Sequence, residues 1–200
     1  EKAQQKIESN NFGIRKNLLE YDAVNNEQRE IIYGERRKVL NGENMRNSIL
    51  KMVMEVVEGC VDTCISEDQL PEEWDMAELN SLLLPIVPMG IVTLSEEDIK
   101  HLTKKELMQR LKEEAVRMYE AKEAIFPEVE QLREVERVVL LKVIDHKWMD
   151  HIDDMDQLKN GITLRAYGQH DPVQEYKFQG MDMFEEMNTL ICEDTVRNLF

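Results

Sequence analysis

The stretch that decides the fold is LREVERVVLLKVIDHKWMDHIDDMDQL, residues Leu132 to Leu158. Apolar side chains recur along it mostly at steps of three or four residues, the spacing at which one face of an α-helix repeats. The stripe consists of Leu132, Val135, Val139, Leu141, Ile144, Trp148, Ile152, Met155 and Leu158. A stripe of this length predicts a single amphipathic helix of about eight turns, with one face buried against other helices.

A second helix is predicted after it. Gly161 predicts the end of the first helix, because glycine is the residue that most often follows a helix terminus. Asp171 and Pro172 predict the next start, as N-cap and first helical residue. The returning stripe consists of Val173, Tyr176, Phe184, Met187 and Ile191. Residues 132–200 are therefore predicted to form an antiparallel helical hairpin whose linker, at about ten residues, exceeds the ~2–5 of a minimal one.

Residues 1–41 predict one long helix. Its stripe is Ile14, Leu18, Tyr21, Val24, Gln28, Ile31 and Val39. Leu19, Ile32 and Tyr33 lie beside that stripe, so more than one face is apolar. A long helix with this pattern typically acts as a spine against which other helices pack.

The segment 42–131 is predicted to be a small helical subdomain inserted between the long helix and the hairpin. One helix carries the stripe Ile49, Val53, Val56, Cys60 and Cys64. Ser95 and Thr103 predict two further N-caps, the second in a capping box with Glu106. The predicted fold class is therefore all-α: a long helix over 1–41, a small inserted helical subdomain over 42–131, and an antiparallel helical hairpin over 132–200.

Composition limits the function. The net charge is −16, and a nucleic-acid-binding protein would need a basic face, so DNA and RNA are not predicted partners. Three cysteines without a CxxC motif favour a reducing compartment. Cys60 and Cys64 are interpreted as small buried hydrophobes, although a metal or redox role is the alternative. The chain begins in mid-helix without methionine, which indicates a piece of a longer protein.

Motifs for catalysis are scarce. The sequence contains no GxxxxGK[ST], GxGxxG or GxSxG, so neither a nucleotide-binding loop nor a serine nucleophile is predicted. His146, Asp150 and Asp154 are spaced four residues apart and would share a helix face that could hold a cation. The alternative is a solvated face, since the Glu-x-x-His pairs of bundle metal sites are absent. A helical-bundle metalloenzyme therefore remains a rival hypothesis.

The stretch GITLRAYGQHDPVQEY, residues 161–176, contains the linker. The linker carries polar, basic and aromatic side chains where no facing helix is predicted, namely Arg165, Tyr167, Gln169 and His170. Two blocks of the sequence, NNFGIRKNLLEYDAVNNEQREIIYGERR and IDHKWMDHIDDMDQLKNGITLRAYGQHDPVQEYKFQGMDMFEEM, resemble the C-terminal half of the SecA family of bacterial preprotein translocase motors. The blocks flank the acidic middle in the order of that family. The departures are small: Ala23 and Asn25 stand in YDAVNN where the family often has YDDVMN.

The resemblance implies a role in protein transport. It assigns the flanking blocks to the helical scaffold, the middle to the helical wing, and the last two helices to the two-helix finger. It implies that the finger tip, with Tyr167 at the bulky position and Arg165, Gln169 and His170 beside it, contacts a translocating chain at a SecY-type channel. The implied location is the bacterial cytoplasm and the cytoplasmic face of the inner membrane, with peripheral association.

The resemblance also limits what this segment does alone. The family's nucleotide-binding domains, which bind ATP and Mg²⁺, its preprotein cross-linking domain and its zinc-binding tail have no counterpart here. No catalytic residue, metal or cofactor is therefore expected in this segment. Unfolded preprotein, the SecY-type channel and the SecA nucleotide-binding domains are the implied partners. A stand-alone helical scaffold or adaptor of the same architecture is the main alternative.

Overall fold

The computed structural model describes residues 2–42, 45–165 and 171–200, and no β-strand lies in these ranges. The helices, in chain order, are α1 Lys2–Leu40, α2 Met45–Cys64, a 3₁₀ helix at Pro71–Glu73, α3 Met76–Leu83, α4 Glu96–His101, α5 Lys104–Glu123, α6 Val129–Arg165 and α7 Pro172–Leu199. The prediction of an all-α fold is confirmed. No helix in the described ranges is long and apolar enough to cross a membrane.

The chain divides into two compact units. Unit 1 contains Glu1–Lys38 and Ile144–Asn188, and unit 2 contains Val39–Val143 and Thr189–Phe200. Unit 1 therefore holds most of α1, the C-terminal part of α6 and the N-terminal part of α7. Unit 2 holds α2 to α5, the N-terminal part of α6 and the end of α7.

In unit 1, α6 and α7 pair antiparallel, as the sequence predicts. The rings of His151 and Phe184 lie 5.7 Å apart between centroids. One turn further along α6, Met155 lies against Gly180. Positions later in α6 thus meet positions earlier in α7, which defines an antiparallel pair.

The buried face of α6 differs in part from the apolar stripe. The buried residues are Leu132, Glu136, Leu140, Ile144, Trp148, His151, Met155 and Ile162. Val135 is exposed, and Ile152 lies at the edge of the buried face. The steps between buried positions are three or four residues throughout, except across Leu158, so the period was predicted correctly. Two members are polar, and the apolar pattern could not identify them.

The predicted end of α6 at Gly161 is wrong. The helix continues to Arg165, and Gly161 lies inside it. A glycine inside a helix costs only about 1 kcal/mol relative to alanine. Ile162, which is buried in the core of unit 1, offsets this cost by packing.

The predicted stripe of α1 is correct only in part, from Tyr21 onward and without Ile31. Tyr21, Gln28 and Val39 are buried, but Ile14, Leu18 and Ile31 are exposed and Ile32 is buried instead of Ile31. The contacts described between α1 and the hairpin begin at Glu20, which pairs with Lys177 of α7. Residues 14 and 18 precede those contacts. The buried face then runs through residues 21, 28 and 32, which leaves position 31 on a neighbouring face.

The core of unit 2 is built around α2, whose predicted stripe is confirmed. Ile49, Val53, Val56, Cys60 and Cys64 are all buried. Helix α5 packs antiparallel to α2 through its own stripe of Leu107, Leu111, Ala115 and Tyr119. Ion pairs mark the direction, since Arg46 meets Glu120 while Lys112 meets Glu58.

The predicted N-caps of α4 and α5 are confirmed. Ser95 Oγ accepts a hydrogen bond from the Asp98 backbone N–H, and Thr103 Oγ1 accepts one from that of Glu106. The Asp98 and Glu106 carboxylates in turn accept hydrogen bonds from the backbone N–H groups of Ser95 and Thr103. Four hydrogen bonds thus satisfy donors that would otherwise be unpaired where these helices begin.

Candidate functional site

The predicted tip residues fall at the junction of α6 and α7. Arg165 is the last residue of α6, and α7 begins at Pro172. Tyr167, Gln169 and His170, together with the side chain of Arg165, lie outside the described residues. The structure describes the parts of α6 and α7 that flank this segment, here called the base.

The base is an apolar cluster in which three helices of unit 1 meet. Its buried members are Tyr21 of α1, Met155 and Ile162 of α6, and Val173 and Tyr176 of α7. The rings of Tyr21 and Tyr176 lie 4.6 Å apart between centroids at an angle of 57°. Such a tilted aromatic pair is favourable beyond the area that it buries. The cluster fixes both ends of the linker to α1.

Two polar contacts orient the start of α7. Asp171 Oδ1 accepts a hydrogen bond of 2.9 Å from the Val173 backbone N–H, which confirms Asp171 as the N-cap with Pro172 following it. The Tyr176 hydroxyl donates to Asn25 Oδ1 at 2.8 Å. Burial raises the Tyr176 pKa, so this hydroxyl remains a neutral donor at physiological pH. The first turn of α7 is thereby held in one orientation against α1.

The charged side chains around this base form surface pairs. Lys177 lies 3.0 Å from Glu20, and Lys159 lies 3.6 Å from Asp22. The Lys159 ammonium also lies 5.8 Å from the centre of the Tyr21 ring. Exposed ion pairs contribute about 0–1 kcal/mol each, so the apolar cluster contributes most of the stability here.

A buried polar group lies deeper in unit 1. The side-chain amide of Gln28 bridges two helices: its Nε2 donates to the Gly180 carbonyl at 2.9 Å, and its Oε1 lies 2.8 Å from His151 Nε2. The His151 ring stacks near Trp148 and Phe184. Burial lowers the pKa of His151, although the nearby carboxylate of Asp154 opposes this shift. His151 is therefore neutral at physiological pH.

We expect the stability of the chain to fall as the pH decreases through the range in which histidine titrates. The folded-state pKa of His151 lies below its unfolded value of ~6.5, so the unfolded state binds more protons in the interval between the two values. The stability that this group contributes is present above about pH 6.5 and is lost as the pH falls towards the folded pKa. The free energy of unfolding then decreases by at most ~1.4 kcal/mol per pH unit. Urea unfolding from about pH 7.5 to about pH 5.5 measures the slope.

The control for this prediction is another histidine on the same helix. His146→Gln removes a histidine whose side chain is 73% exposed, and its slope is measured beside that of the wild type. His151→Gln should flatten the slope relative to the wild type. Equal slopes for the wild type and His151→Gln would contradict the prediction.

The predicted cation face is a solvated surface. His146 Nε2 lies 3.7 Å from Asp150 Oδ2, both side chains are mostly exposed, and Asp154 is exposed as well. Within residues 2–42, 45–165 and 171–200, no group of three or more His, Cys, Asp and Glu side chains could hold a metal ion. The geometry thus gives the metalloenzyme hypothesis no support.

The cysteines are free thiols. Cys60 and Cys64 are buried, as the interpretation as small hydrophobes requires. Burial raises the pKa of Cys60 to about 11, so its thiol is protonated and unreactive at physiological pH.

In the residues that the structure describes, the chain forms helices that divide into two compact units. Comparison with known proteins identifies its family: the family model described as SecA Wing and Scaffold domain matches residues 1–200. The chain belongs to the SecA Wing and Scaffold domain family.

Relatives agree along the whole length of the wing and scaffold sequence. A protein translocase subunit SecA of Lachnoclostridium phytofermentans is 68% identical over 199 residues, which cover 100% of this chain and 23% of that protein. A protein of the same name from Acetivibrio thermocellus is 50% identical over 98% of this chain and 22% of its own length. Protein translocase subunit SecA 1 of Alkaliphilus metalliredigens is 49% identical over 100% of this chain and 22% of its own length. The chain thus spans under a quarter of the length of these relatives.

Sequence reasoning missed His151 and Glu136 of this wing and scaffold chain, because a search for apolar periodicity passes over polar residues. The available signal was their position. His151 lies between the buried positions 148 and 155, and Glu136 lies four residues from both Leu132 and Leu140. A polar residue at a position where the helical period requires burial is a candidate for a buried hydrogen-bond group.

Proposed function

We propose that this chain is the scaffold, wing and finger module of a SecA motor, and that it transmits movement of nucleotide-binding domains to a preprotein entering a SecY-type channel. The observation that carries this proposal is the match along the whole chain to proteins named protein translocase subunit SecA. Arg165, Tyr167, Gln169 and His170 are the proposed contacts with the preprotein and the channel.

The apolar cluster that forms the base of the linker supports this mechanism. If the tip pushes on a passing chain, it must not move relative to the helix that displaces it. Both ends of the linker are clamped to α1 by the cluster around Tyr21, Ile162 and Tyr176. Since close-packed interiors have low compressibility, displacement of α1 would carry the tip with it.

The proposed chemistry at the tip is contact without reaction. An aromatic ring grips varied side chains and backbone by area and needs no particular partner sequence. In this proposal ATP and Mg²⁺ bind to the nucleotide-binding domains of the full-length protein, and this segment supplies no catalytic residue. The full-length protein would work at the cytoplasmic face of the bacterial membrane, with peripheral association.

We predict that Tyr167→Ala strongly reduces transport of a preprotein into membrane vesicles by a full-length SecA that carries this segment. Tyr167→Phe and Tyr167→Trp should retain more transport, because ring area matters more than the hydroxyl. The same alanine substitution should change the stability of the 200-residue chain by no more than about 0.5 kcal/mol. Vesicle transport and urea unfolding are measured in parallel.

The matched control is Asp153→Ala, at an exposed position of α6, which should leave both transport and stability unchanged. Full transport by Tyr167→Ala would remove the proposed role of this residue. A large loss of stability would make Tyr167 a packing residue instead. A stand-alone adaptor, the main rival, predicts no loss of transport from any of these substitutions.

A further inference from the structure

The amide of Gln28 can take only one orientation. The Gly180 carbonyl is an acceptor and lies 2.9 Å from one end of that amide, so this end must be the NH₂ group. The amide oxygen then faces His151 Nε2 at 2.8 Å, and because an amide oxygen only accepts, His151 must carry its proton on Nε2. One side chain of α1 thus ties a backbone carbonyl of α7 to a ring of α6.

Gly180 also lies close to Met155 of α6. A Cβ atom at this position would lie 2.7 Å from Met155 Cε, a distance that real Cβ atoms do not show, and 3.2 Å from Met155 Sδ. A larger residue would therefore require the end of the Met155 side chain to shift. This close contact and the hydrogen bond from Gln28 lie at the same residue of α7.

Of the other contacts of α7 in unit 1, the hydrogen bond from Tyr176 to Asn25 also orients the helix, whereas the apolar cluster selects its position only weakly. The cluster of Met155, Ile162, Val173 and Tyr176 is held by apolar burial, which is non-directional. A buried hydrogen-bonded group is directional, because a displacement leaves its donors and acceptors unpaired in an apolar environment. Gln28 is 7% exposed and His151 is 4% exposed, so both groups lie in the interior of unit 1.

Charged side chains lie near this group on each of the three helices, although none is a partner in its two hydrogen bonds. Gln28 also lines a groove with Glu27 of α1 and with Lys177 and Glu185 of α7. On α1, Arg29 lines a cavity of about 30 Å³ next to the bridge, together with Asn25, Trp148, Ile152 and Met155. On α6, Asp154 lies close enough to act on His151. The α7 residues that meet the bridge are Gly180 and Phe184, which are uncharged. The bridge therefore depends on hydrogen bonds and not on an ion pair.

We propose that Gln28, His151 and Gly180 form a latch whose two hydrogen bonds set the register of α7 against α1 and α6 within unit 1. The three residues lie on three different helices of unit 1, and the single side chain of Gln28 makes both bonds. This proposal concerns the conformation of the hairpin and holds whether or not the tip contacts a preprotein.

Two substitutions at Gln28 separate the two bonds of the latch. Gln28→Met keeps the length of the side chain and removes both bonds. Gln28→Glu keeps an acceptor for His151 but places a second oxygen against the Gly180 carbonyl, so it loses the α7 bond alone. Backbone amide exchange by NMR reports on local opening, and the ¹⁵N shifts of the His151 ring report its tautomer. Gln157→Met, at an exposed position of α6, is the control.

In the wild-type chain we expect the proton of His151 on Nε2. Both Gln28 variants should raise exchange of the α7 amides around Gly180 by about tenfold relative to the amides of α2, as expected for the loss of a buried hydrogen bond. Gln28→Glu should preserve the His151 tautomer, and Gln157→Met should change nothing. The proposal is overturned if the proton is on Nδ1, or if the Gln28 variants raise exchange in α7 and α2 by the same factor. Unchanged exchange in α7 would overturn it as well.

Discussion

Replacing Glu136 by alanine is expected to destabilise the chain by about 3–5 kcal/mol, the range observed when one partner of a buried ion pair is removed. The Glu136 side chain is fully buried in unit 2. Its carboxylate accepts hydrogen bonds of 2.6 Å from the Tyr119 hydroxyl and from the Arg133 guanidinium. Without it, the Tyr119 hydroxyl loses its acceptor and Arg133 loses one of its two carboxylate partners, the other being Glu123.

The network around Glu136 extends to α2 and α5. Arg133 also contacts Glu123, which in turn accepts from Arg46 Nε at 3.1 Å. Burial, with the Glu136 carboxylate, raises the pKa of Tyr119 to about 12, so its hydroxyl stays a donor throughout the physiological range. Removal of Glu136 therefore affects contacts among three helices of unit 2.

Glu134 provides a control on the same helix. It pairs with Arg137 on the surface, where its side chain is 59% exposed, so Glu134→Ala should cost no more than about 1 kcal/mol. Glu136→Gln keeps the size and one acceptor and should cost less than Glu136→Ala. Urea unfolding measures all three. If Glu136→Ala and Glu134→Ala were equally stable, Glu136 would not be the buried centre of this network.

The sequence predicted the parts of the fold that depend on local signals. The stripe of α2, the caps at Ser95 and Thr103, and the start of α7 at Asp171 are each determined by a few neighbouring residues. These signals report side-chain chemistry within one or two turns of helix. They are readable because each satisfies local backbone donors or places apolar groups on one face.

The parts that depend on contacts distant in sequence were not predictable. Whether α6 ends at Gly161 is decided by Ile162, which packs against helices far away in the chain. Ile14 and Ile31 of α1 fit a helical stripe but are exposed, since the position of the partner helices decides which apolar residues are covered. The bridge of Gln28 joins residues 123 and 152 positions apart in the sequence, so no local pattern could indicate it.

The second large effect is expected at Trp148. Trp148→Ala should destabilise the chain by about 3–5 kcal/mol, the range for truncation of a buried aromatic side chain. Trp148 is 8% exposed and lines the cavity shared with Asn25, Gln28 and Met155. Its ring centroid lies 5.6 Å from that of His151, so alanine would enlarge the cavity next to the ring that Gln28 contacts.

Met149 is the matched control for Trp148, because it is the next residue of α6 and is 65% exposed. Met149→Ala should stay within about 0.5 kcal/mol of the wild type. Trp148→Phe should lose less stability than Trp148→Ala, because phenylalanine retains part of the buried ring area. Loss of the Nε1 group should matter little, since no acceptor for Trp148 Nε1 lies in the part of the chain that the structure describes.

A second measurement uses the remaining tryptophan of Trp148→Ala. Trp74 is buried in unit 2, so its fluorescence reports whether that unit unfolds in the same transition. A loss below about 1 kcal/mol for Trp148→Ala would mean that α6 does not pack through this residue, and the contacts of His151 with Gln28 would then need another support.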